Sequence, residues 1–308
     1  PIYSNGLKTQ RDSWCYNSAS VVLRDAITRM IADYNQQREA FHAYRETHSD
    51  VVVEKFVNYD SKKIAWTKGL LDDCGRNRAI AVEEASFRIG LYRPFYKTNV
   101  YFSRRLNDQV YQVPRLFPYP GAENLVICVH GLNGNKPFSC LMTNVIPDLN
   151  MLEAGCQCFP LYCYEECDVN EPSLFGYDDP AQKYVRHDAV TDWIRNRARQ
   201  QYGDKTISKE DIFYYVYGLL HSKDYRKAFA NDLKKMLPRI PLVDDVKDFR
   251  TFERAGRELA ALHLHYETPR KVDGVEVVCA GGNLANVSLR VSKMRFAKNG
   301  KETDLSAI

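Results

Sequence analysis

The stretch 211-DIFYYVYGLLHSKDYRKAFANDLKKMLPRIP-241 decides how the chain is read, because its middle resembles an active site while its flanks resemble packed helices. His221, Ser222 and Asp224 lie within four positions. A Ser-His-Asp relay needs members converging from separate elements, and neighbours in sequence cannot easily aim three side chains at one another. A turn between helices explains them more simply. Ile212, Tyr215, Val216, Leu219 and Leu220 recur at helical spacing, and Ser208 with Asp211 three positions later resembles a capping box. Ser222 then suits the N-cap of a second helix, with Asp224 favoured in its first turn by the helix dipole. That helix, over 223–236, turns Tyr225, Phe229, Leu233 and Met236 inward. It carries Lys234 and Lys235 near its end and stops before Pro238 and Pro241.

Outward from this hairpin, the spacing predicts helices over 187–202 and 249–266. Near the start, Leu23, Ile27, Met30, Ile31 and Tyr34 mark a long amphipathic helix over 18–44, with Asn17 and Ser18 as candidate caps. Shorter helical patterns follow over 49–56, 64–73 and 82–88, the last stopped at Pro94 by "YRP". Between the helical ends, residues 99–102, 109–113, 125–129, 138–143 and 157–164 are short aromatic or β-branched runs separated by Gly, Pro and Asn turns, as in strands. After the acidic loop 165–182, "GVEVVCAGG" (274–282) and "NVSLRVSKMRFAKNGK" (286–301) read as a hairpin cut short. The expected class is α+β. It comprises a helical segment over 1–92, a β-rich region over 93–170, a helical region over 171–270, and a truncated hairpin and tail over 271–308.

The 308 residues are 44% hydrophobic, enough for a real core. No run approaches the roughly 18 apolar residues of a membrane span, and "PIYSNGLKTQRD" has no signal-peptide apolar region. The expected location is the cytoplasm. Nine cysteines, an odd number scattered from Cys15 to Cys279, suit a reducing compartment better than a disulfide framework. The chain opens without an initiator Met on a turn-like "YSNG", as part of a longer polypeptide does. The net charge is only +4, so distribution matters more than total. Basic residues gather with Asn and aromatics in "CGRNRAI", "LYRPFYKTNVYFSRRLNDQVYQVPRLF" and "VSKMRFAKNGK", while acids concentrate over 165–179 and 244–248. A local positive surface with stacking groups is how a nucleic-acid partner declares itself, although charge alone fits a solvated face equally well.

Several reaction centres can be weighed directly. "LVICVHGLNGN" (125–135) resembles the oxyanion strand of an α/β-hydrolase, which would use His130 or His221 with a serine. No Gly-x-Ser-x-Gly elbow follows, and "KPFSCLMTNVIPDL" supplies another strand where a helix is needed. Cys156, Cys158, Cys163 and Cys167 raise a zinc question. Strand alternation puts Cys163 on the face opposite Cys156 and Cys158, so core thiols are expected and no metal. The chain lacks a phosphate loop, a Gly-x-Gly-x-x-Gly turn, a His-Glu-x-x-His helix and an Asn/Asp-Pro-Pro-Tyr motif. "IPDLNMLEAG" opens like a Pro-Asp nuclease motif, yet Glu153 has no Lys two positions later.

The hairpin sequence 211–241 resembles the helical segment in the C-terminal specificity portion of Type ISP restriction-modification enzymes. "YSNGLKTQRDSWCYN" before a long helix is similar to the junction after that family's methyltransferase domain. "LYRPFYKTNVYF", "YQVPRLFP", "KPFSCLMTNVIPDLN" and "QCFPLYCY" follow in the family's order, so the resemblance covers about residues 3–298. His130 and the cysteine run are departures. The resemblance implies sequence-specific recognition of double-stranded DNA, with no catalytic residue, metal or cofactor in this part. Upstream methyltransferase and translocase domains of the same chain would be its partners. They would methylate adenine, translocate and cleave using S-adenosylmethionine, ATP and magnesium. The alternatives are the hydrolase above and a scaffold that only bridges domains.

Reading base edges requires Arg, Lys, Asn and Gln on loops, whereas phosphates require only positive charge. The candidates are Arg93, Lys97, Asn99, Arg104, Arg105, Asn107, Arg115, Asn133, Asn135 and Lys136 in the middle, with Arg76 and Arg78 before it. Arg290, Lys293 and Arg295 form a C-terminal group. Arg93 in "YRPF" also suits a fold-holding role.

Overall fold

In chain order the elements are β1 (Ser4–Asn5), α1 (Asp12–Cys15), β2 (Tyr16–Asn17), α2 (Ser20–Arg45), α3 (Val53–Phe56), α4 (Lys68–Gly75), β3 (Phe87–Arg93), β4 (Tyr96–Tyr101) and α5 (Val113–Leu116). Next come β5 (Val126–Val129), β6 (Cys140–Thr143), β7 (Ile146–Pro147), β8 (Gln157–Pro160), β9 (Tyr162–Glu166) and β10 (Tyr184–Asp188). Helices α6 (Asp192–Tyr202), α7 (Lys209–His221), α8 (Lys223–Ala228), α9 (Asp232–Lys235) and α10 (Val246–Leu264) complete the first compact unit, Pro1–Tyr266. The computed structural model describes residues 2–167, 180–268, 297–299 and 302–304. In the second unit, Glu267–Ile308, the described parts are residues 267–268 and the antiparallel pair of β11 (Ala297–Asn299) and β12 (Glu302–Asp304). The rest of the expected C-terminal hairpin lies outside the described residues. The mixture of helices and sheets bears out the α+β expectation. Among the described residues no helix is long and apolar enough to cross a membrane.

Strand β5 organises the layers. It pairs antiparallel with β6 on one side and β8 on the other, in a sheet of order β1-β8-β5-β6. Successive strand residues face opposite ways, so Ile127 and Val129 join the core against α7 and α10, while Val126 and Cys128 join the core against the second sheet. Both faces are covered, and all four β5 residues are buried. The second sheet has order β2-β4-β3-β7, antiparallel except for β3 and β7. Pro147 sits in its edge strand, where a missing N–H costs no ladder bond.

Helix α2 follows the predicted stripe, burying Leu23, Ile27, Met30, Ile31, Tyr34 and Phe41. Its N-cap is Ala19, without a side-chain cap, since Asn17 Oδ1 accepts from the Ala19 backbone instead. A missing cap costs about 1 kcal/mol, whereas each fully buried large apolar side chain contributes about 2 kcal/mol. Packing therefore decides that this helix forms.

Helix α7 has the predicted capping box, with the Asp211 backbone N–H donating to Ser208 Oγ and the Ser208 N–H donating to Asp211 Oδ2. Its residues are buried almost all round, including Phe213, Tyr217 and Gly218 besides the expected face, which is the signature of a central helix. It crosses α10 at Gly218 and Gly256. A Cβ on Gly218 would fall inside contact distance of the Phe252 carbonyl oxygen, and one on Gly256 would do the same at Tyr214. The crossing is thus backbone against backbone, which only glycine permits.

Further sequence expectations change, beginning with the run 157–164, which is two strands, β8 and β9, in different sheets. Residues 82–88 form no α-helix: a single 3-10 turn at Glu84–Ser86 leads into β3, because pairing with β4 overrides the local helix propensity of Ala and Glu. Pro94 accordingly sits in a strand-to-strand turn. Residues 109–113 make only an isolated bridge, Lys8 to Gln109, before α5. His187 and Asp188 belong to β10, paired with β9, and the helix begins only after the Thr191 cap. Finally, 223–236 breaks into α8 and α9 at Phe229, whose φ of −107° leaves the helix. The break shifts the phase, so Tyr225 and Leu233 are buried but Phe229 and Met236 are exposed.

Candidate nucleic-acid interface

A cleft of about 870 Å³ opens between the loop after β4, helix α5 and the β9–β10 ribbon. Arg88, Arg104, Arg105 and Arg115 line it, with Tyr164, Tyr184 and three glutamates, Glu83, Glu165 and Glu166. Three sequence candidates, Arg104, Arg105 and Arg115, are brought together here from two separate elements.

The loop is built by side chains binding backbone. Ser103 N–H donates to Asn107 Oδ1 at 2.7 Å, Asn107 Nδ2 donates to the Tyr101 carbonyl at 3.1 Å, and the Arg105 N–H donates to Ser103 Oγ. Candidate Asn107 is therefore the buried staple of the loop, at 4% exposure, and its amide faces inward. Arg105 Nε donates to Asp73 Oδ2 at 2.7 Å and fastens the loop to α4. Arg115 reaches Glu165 at 2.6 Å, bridging α5 to the ribbon. Arg88 points its guanidinium at the Phe117 and Tyr119 carbonyls, and burial lowers its pKa to about 10. Arg104 is exposed, and among the described residues it alone of the four has neither a carboxylate nor a carbonyl partner. The cleft thus holds one uncommitted guanidinium on a rigid loop, backed by arginines whose positions are fixed. That arrangement can dock an anionic backbone or the acceptor edge of a guanine.

The other candidates are dispersed. Arg93 donates to Asp148 at 2.9 Å and lies over the Tyr92 ring at 3.8 Å, while Tyr16 donates to the same carboxylate. Burial of Asp148 raises its pKa to about 6, despite hydrogen bonds from the Asn150 backbone and Tyr16 and the charge of Arg93. This is the fold-holding element that "YRPF" suggested. Lys97 donates to the Leu264 carbonyl at the C-terminal end of α10, where a cation suits the helix dipole. Asn99 donates to the Asn17 and Ser18 carbonyls and joins β4 to the start of α2. Arg76 is exposed at the end of α4, and Arg78 pairs with Asp73. Asn133, Asn135 and Lys136 are exposed on the turn after β5, where the backbone N–H groups of Asn135 and Lys136 donate to the Glu153 carboxylate. Arg290, Lys293 and Arg295 lie outside the described residues.

Arg88, Tyr164 and Tyr184 line the cleft without being among the sequence candidates. Arg88 fell in the segment read as helix, and Tyr184 lies just before one. The alternation of Phe87, Ile89 and Leu91 was the available sign that Arg88 belongs to a strand.

The apparent relay at 221–224 is a corner. Ser222 caps α8 by accepting from the Tyr225 N–H. His221 points back into the core, 3.2 Å from Cys140 Sγ and 3.2 Å from Arg226 Nη2. Burial pushes the thiol up to about 12, and burial with the nearby Arg226 and His263 pushes the imidazole down to about 4. Both shifts favour a neutral pair, the reverse of an activated thiolate–imidazolium. His130 is buried, with Nε2 3.2 Å from the Leu233 carbonyl and its ring edge on Phe138. Neither histidine has a serine hydroxyl partner among the described residues. Cys156, Cys158 and Cys163 are buried thiols, with Cys158 Sγ 3.7 Å from Cys128 Sγ. No group able to hold a metal ion occurs among the described residues.

The Type ISP C-terminal specificity domain family model matches residues 1–307. No curated protein matches the chain. Among solved structures, the DrdV–DNA complex is 32% identical with a TM-score of 0.70, over 87% of this chain and 23% of that one. A nuclease-deletion mutant of the Type ISP restriction-modification enzyme LlaGI with a DNA substrate mimic is 30% identical with a TM-score of 0.72, over 89% and 23%. The ATP-dependent Type ISP enzyme LlaBIII bound to DNA is 32% identical with a TM-score of 0.71, over 88% and 16%. The chain therefore spans less than a quarter of each of these relatives.

Proposed function

The chain belongs to the Type ISP C-terminal specificity domain family, and from that premise we propose that it recognises a specific sequence in double-stranded DNA on behalf of a longer restriction-modification polypeptide. The observation that carries this reading within the molecule is the convergence of Arg104, Arg105 and Arg115 on one cleft, with Arg104 exposed and without a carboxylate partner among the described residues. The likeness to the DNA-bound structures of DrdV, LlaGI and LlaBIII supports the same partner. Arg105 and Arg115 hold the walls, and Arg104 meets the duplex. Adenine methylation, translocation and cleavage, with their S-adenosylmethionine, ATP and magnesium, belong to other parts of that polypeptide. Its methyltransferase and translocase domains are this chain's partners.

The test is duplex binding as a function of salt. Arg104→Ala is expected to weaken binding about tenfold and to reduce the slope of log affinity against log salt by about 1, with the melting temperature unchanged. An unaltered affinity and slope would refute the assignment of the cleft.

A further inference from the structure

Helix α6 presents a face that the fold does not use. Its inward side carries Ala198, which is fully buried, together with Ile194 and Tyr202, which pack on the α7–α10 core. Arg199 donates to the Ile207 carbonyl, and Gln201 and Tyr202 donate to the Val243 carbonyl. Trp193, Asn196, Arg197 and Gln200, spaced i, i+3, i+4 and i+7, form one stripe on the opposite side, where Asn196 Oδ1 accepts from the Arg195 guanidinium at 3.3 Å. Trp193 is 66% exposed, and the Arg197 guanidinium sits 5.5 Å from its ring centre.

The chemistry of this stripe selects a partner. Apart from the indole it contains no apolar side chain, which disfavours a protein interface with a dry centre. Asn and Gln amides match the edge of adenine, and an Arg fork matches guanine. The carboxylates at the same end of the helix are already answered: Asp192 pairs with Arg195 and Lys209, and Asp188 pairs with Lys209. Arg197 has no carboxylate partner among the described residues, so the stripe is net positive. Residues 193–200 extend about 10 Å along the helix, the length of about three base-pair steps.

We infer that α6 is a second DNA-contacting element, which lays Trp193, Asn196, Arg197 and Gln200 into the major groove of the duplex. The inference rests on the proposed recognition function and adds to it a contact separate from the arginine cleft. Thr191 caps the helix and Gly203, at a φ of +64°, ends it, so both ends are fixed and the stripe is held rigid.

The experiment uses the whole chain and a labelled random-sequence duplex pool, read both as affinity against salt and as the sequences enriched after selection. Arg197→Ala should weaken binding about tenfold and lower the salt slope by about 1. Arg197→Lys should keep the slope yet alter the enriched sequences. Asn196→Ala with Gln200→Ala should broaden those sequences at little change in slope. Trp193→Ala should weaken binding without changing the melting temperature. If these variants bind and select as the parent does while Arg104→Ala is impaired, α6 is not a DNA element, as would hold if it docked on protein. If the parent chain itself binds no duplex in a salt-dependent manner, the recognition function falls together with this inference.

Discussion

Arg257 in α10 and Arg115 in α5 have nearly equal side-chain exposure, 38% and 39%, yet they sit in contrasting surroundings. Arg257 meets Asp211 at 2.7 Å and Glu210 at 3.2 Å and also pairs with Glu253, while its neighbour Arg250 holds Asp204 at 2.6 Å and Asp211 at 2.9 Å. Among the described residues Arg115 has one glutamate, itself 56% exposed, and Arg104 beside it has none. At the crossing of α7 and α10 the charges close on one another, whereas at the cleft positive charge is left facing outward. One residue type thus builds a clamp in one region and a contact surface in the other, and the difference lies in the number of carboxylates within reach.

The strongest way to break the clamp is at its centre. Gly256→Ala should cost about 3 kcal/mol in urea unfolding, because the new methyl overlaps the Tyr214 backbone and neither helix can retreat without opening the core. Gly218→Ala should be similar, and the double variant less than additive, since both relieve the same contact. An unchanged midpoint would show that the helices are not in backbone contact.

Next in size is Asp211→Ala, expected to cost about 2 kcal/mol through loss of the capping box and of a carboxylate shared by two arginines partly screened by solvent. Burial would raise the Asp211 pKa, but the Ser208 backbone, Arg250 and Arg257 hold it below the ordinary value; Asp204, bound by Thr206 and Arg250, falls to about 2. Because folded values are depressed, this stability is present above the unfolded carboxyl value of about 4 and is lost as pH falls towards 2. Asp211→Ala should flatten that acid limb.

His221→Gln is a smaller perturbation, about 1 kcal/mol at neutral pH from the Cys140 and Arg226 contacts. The folded imidazole resists protonation down to about 4 while the unfolded one accepts a proton near 6.5. Its contribution is complete above 6.5 and fades towards 4, so the gap between parent and variant should narrow on acidification. Asp148, raised to about 6, acts in the opposite sense over the same range, which is why the difference between the two proteins is the quantity to follow.

The smallest effects on stability belong to the cleft. Arg115→Ala should cost less than about 1 kcal/mol, and Arg104→Ala should leave stability unchanged while altering DNA binding. A large destabilisation by Arg104→Ala would erase the contrast between the two regions.

Much of the fold was legible where one principle dominates. The apolar stripe of α2, the capping box of α7 and the Ser222 cap each depend on residues within a few positions of one another. Strand β3 was not legible, since "EEASFRIG" favours a helix locally and only pairing with β4 overrules it. The candidate site divided in the same way. The concentration of Arg, Asn and aromatics after residue 90 pointed to the region containing Arg104 and Arg115. Nothing local indicated that Asn107 would turn inward, that Lys97 would bind the end of α10, or that Arg93 would lock onto Asp148.

By itself the sequence determined the helical corner at 208–225, the absence of a relay there, and the family resemblance that the family model bears out. These are local or pattern properties, fixed by propensity, capping and the order of motifs. The tertiary structure alone decided which cations remain available and that Gly218 meets Gly256. Both depend on distances between residues far apart in the chain, and no spacing within a segment encodes those.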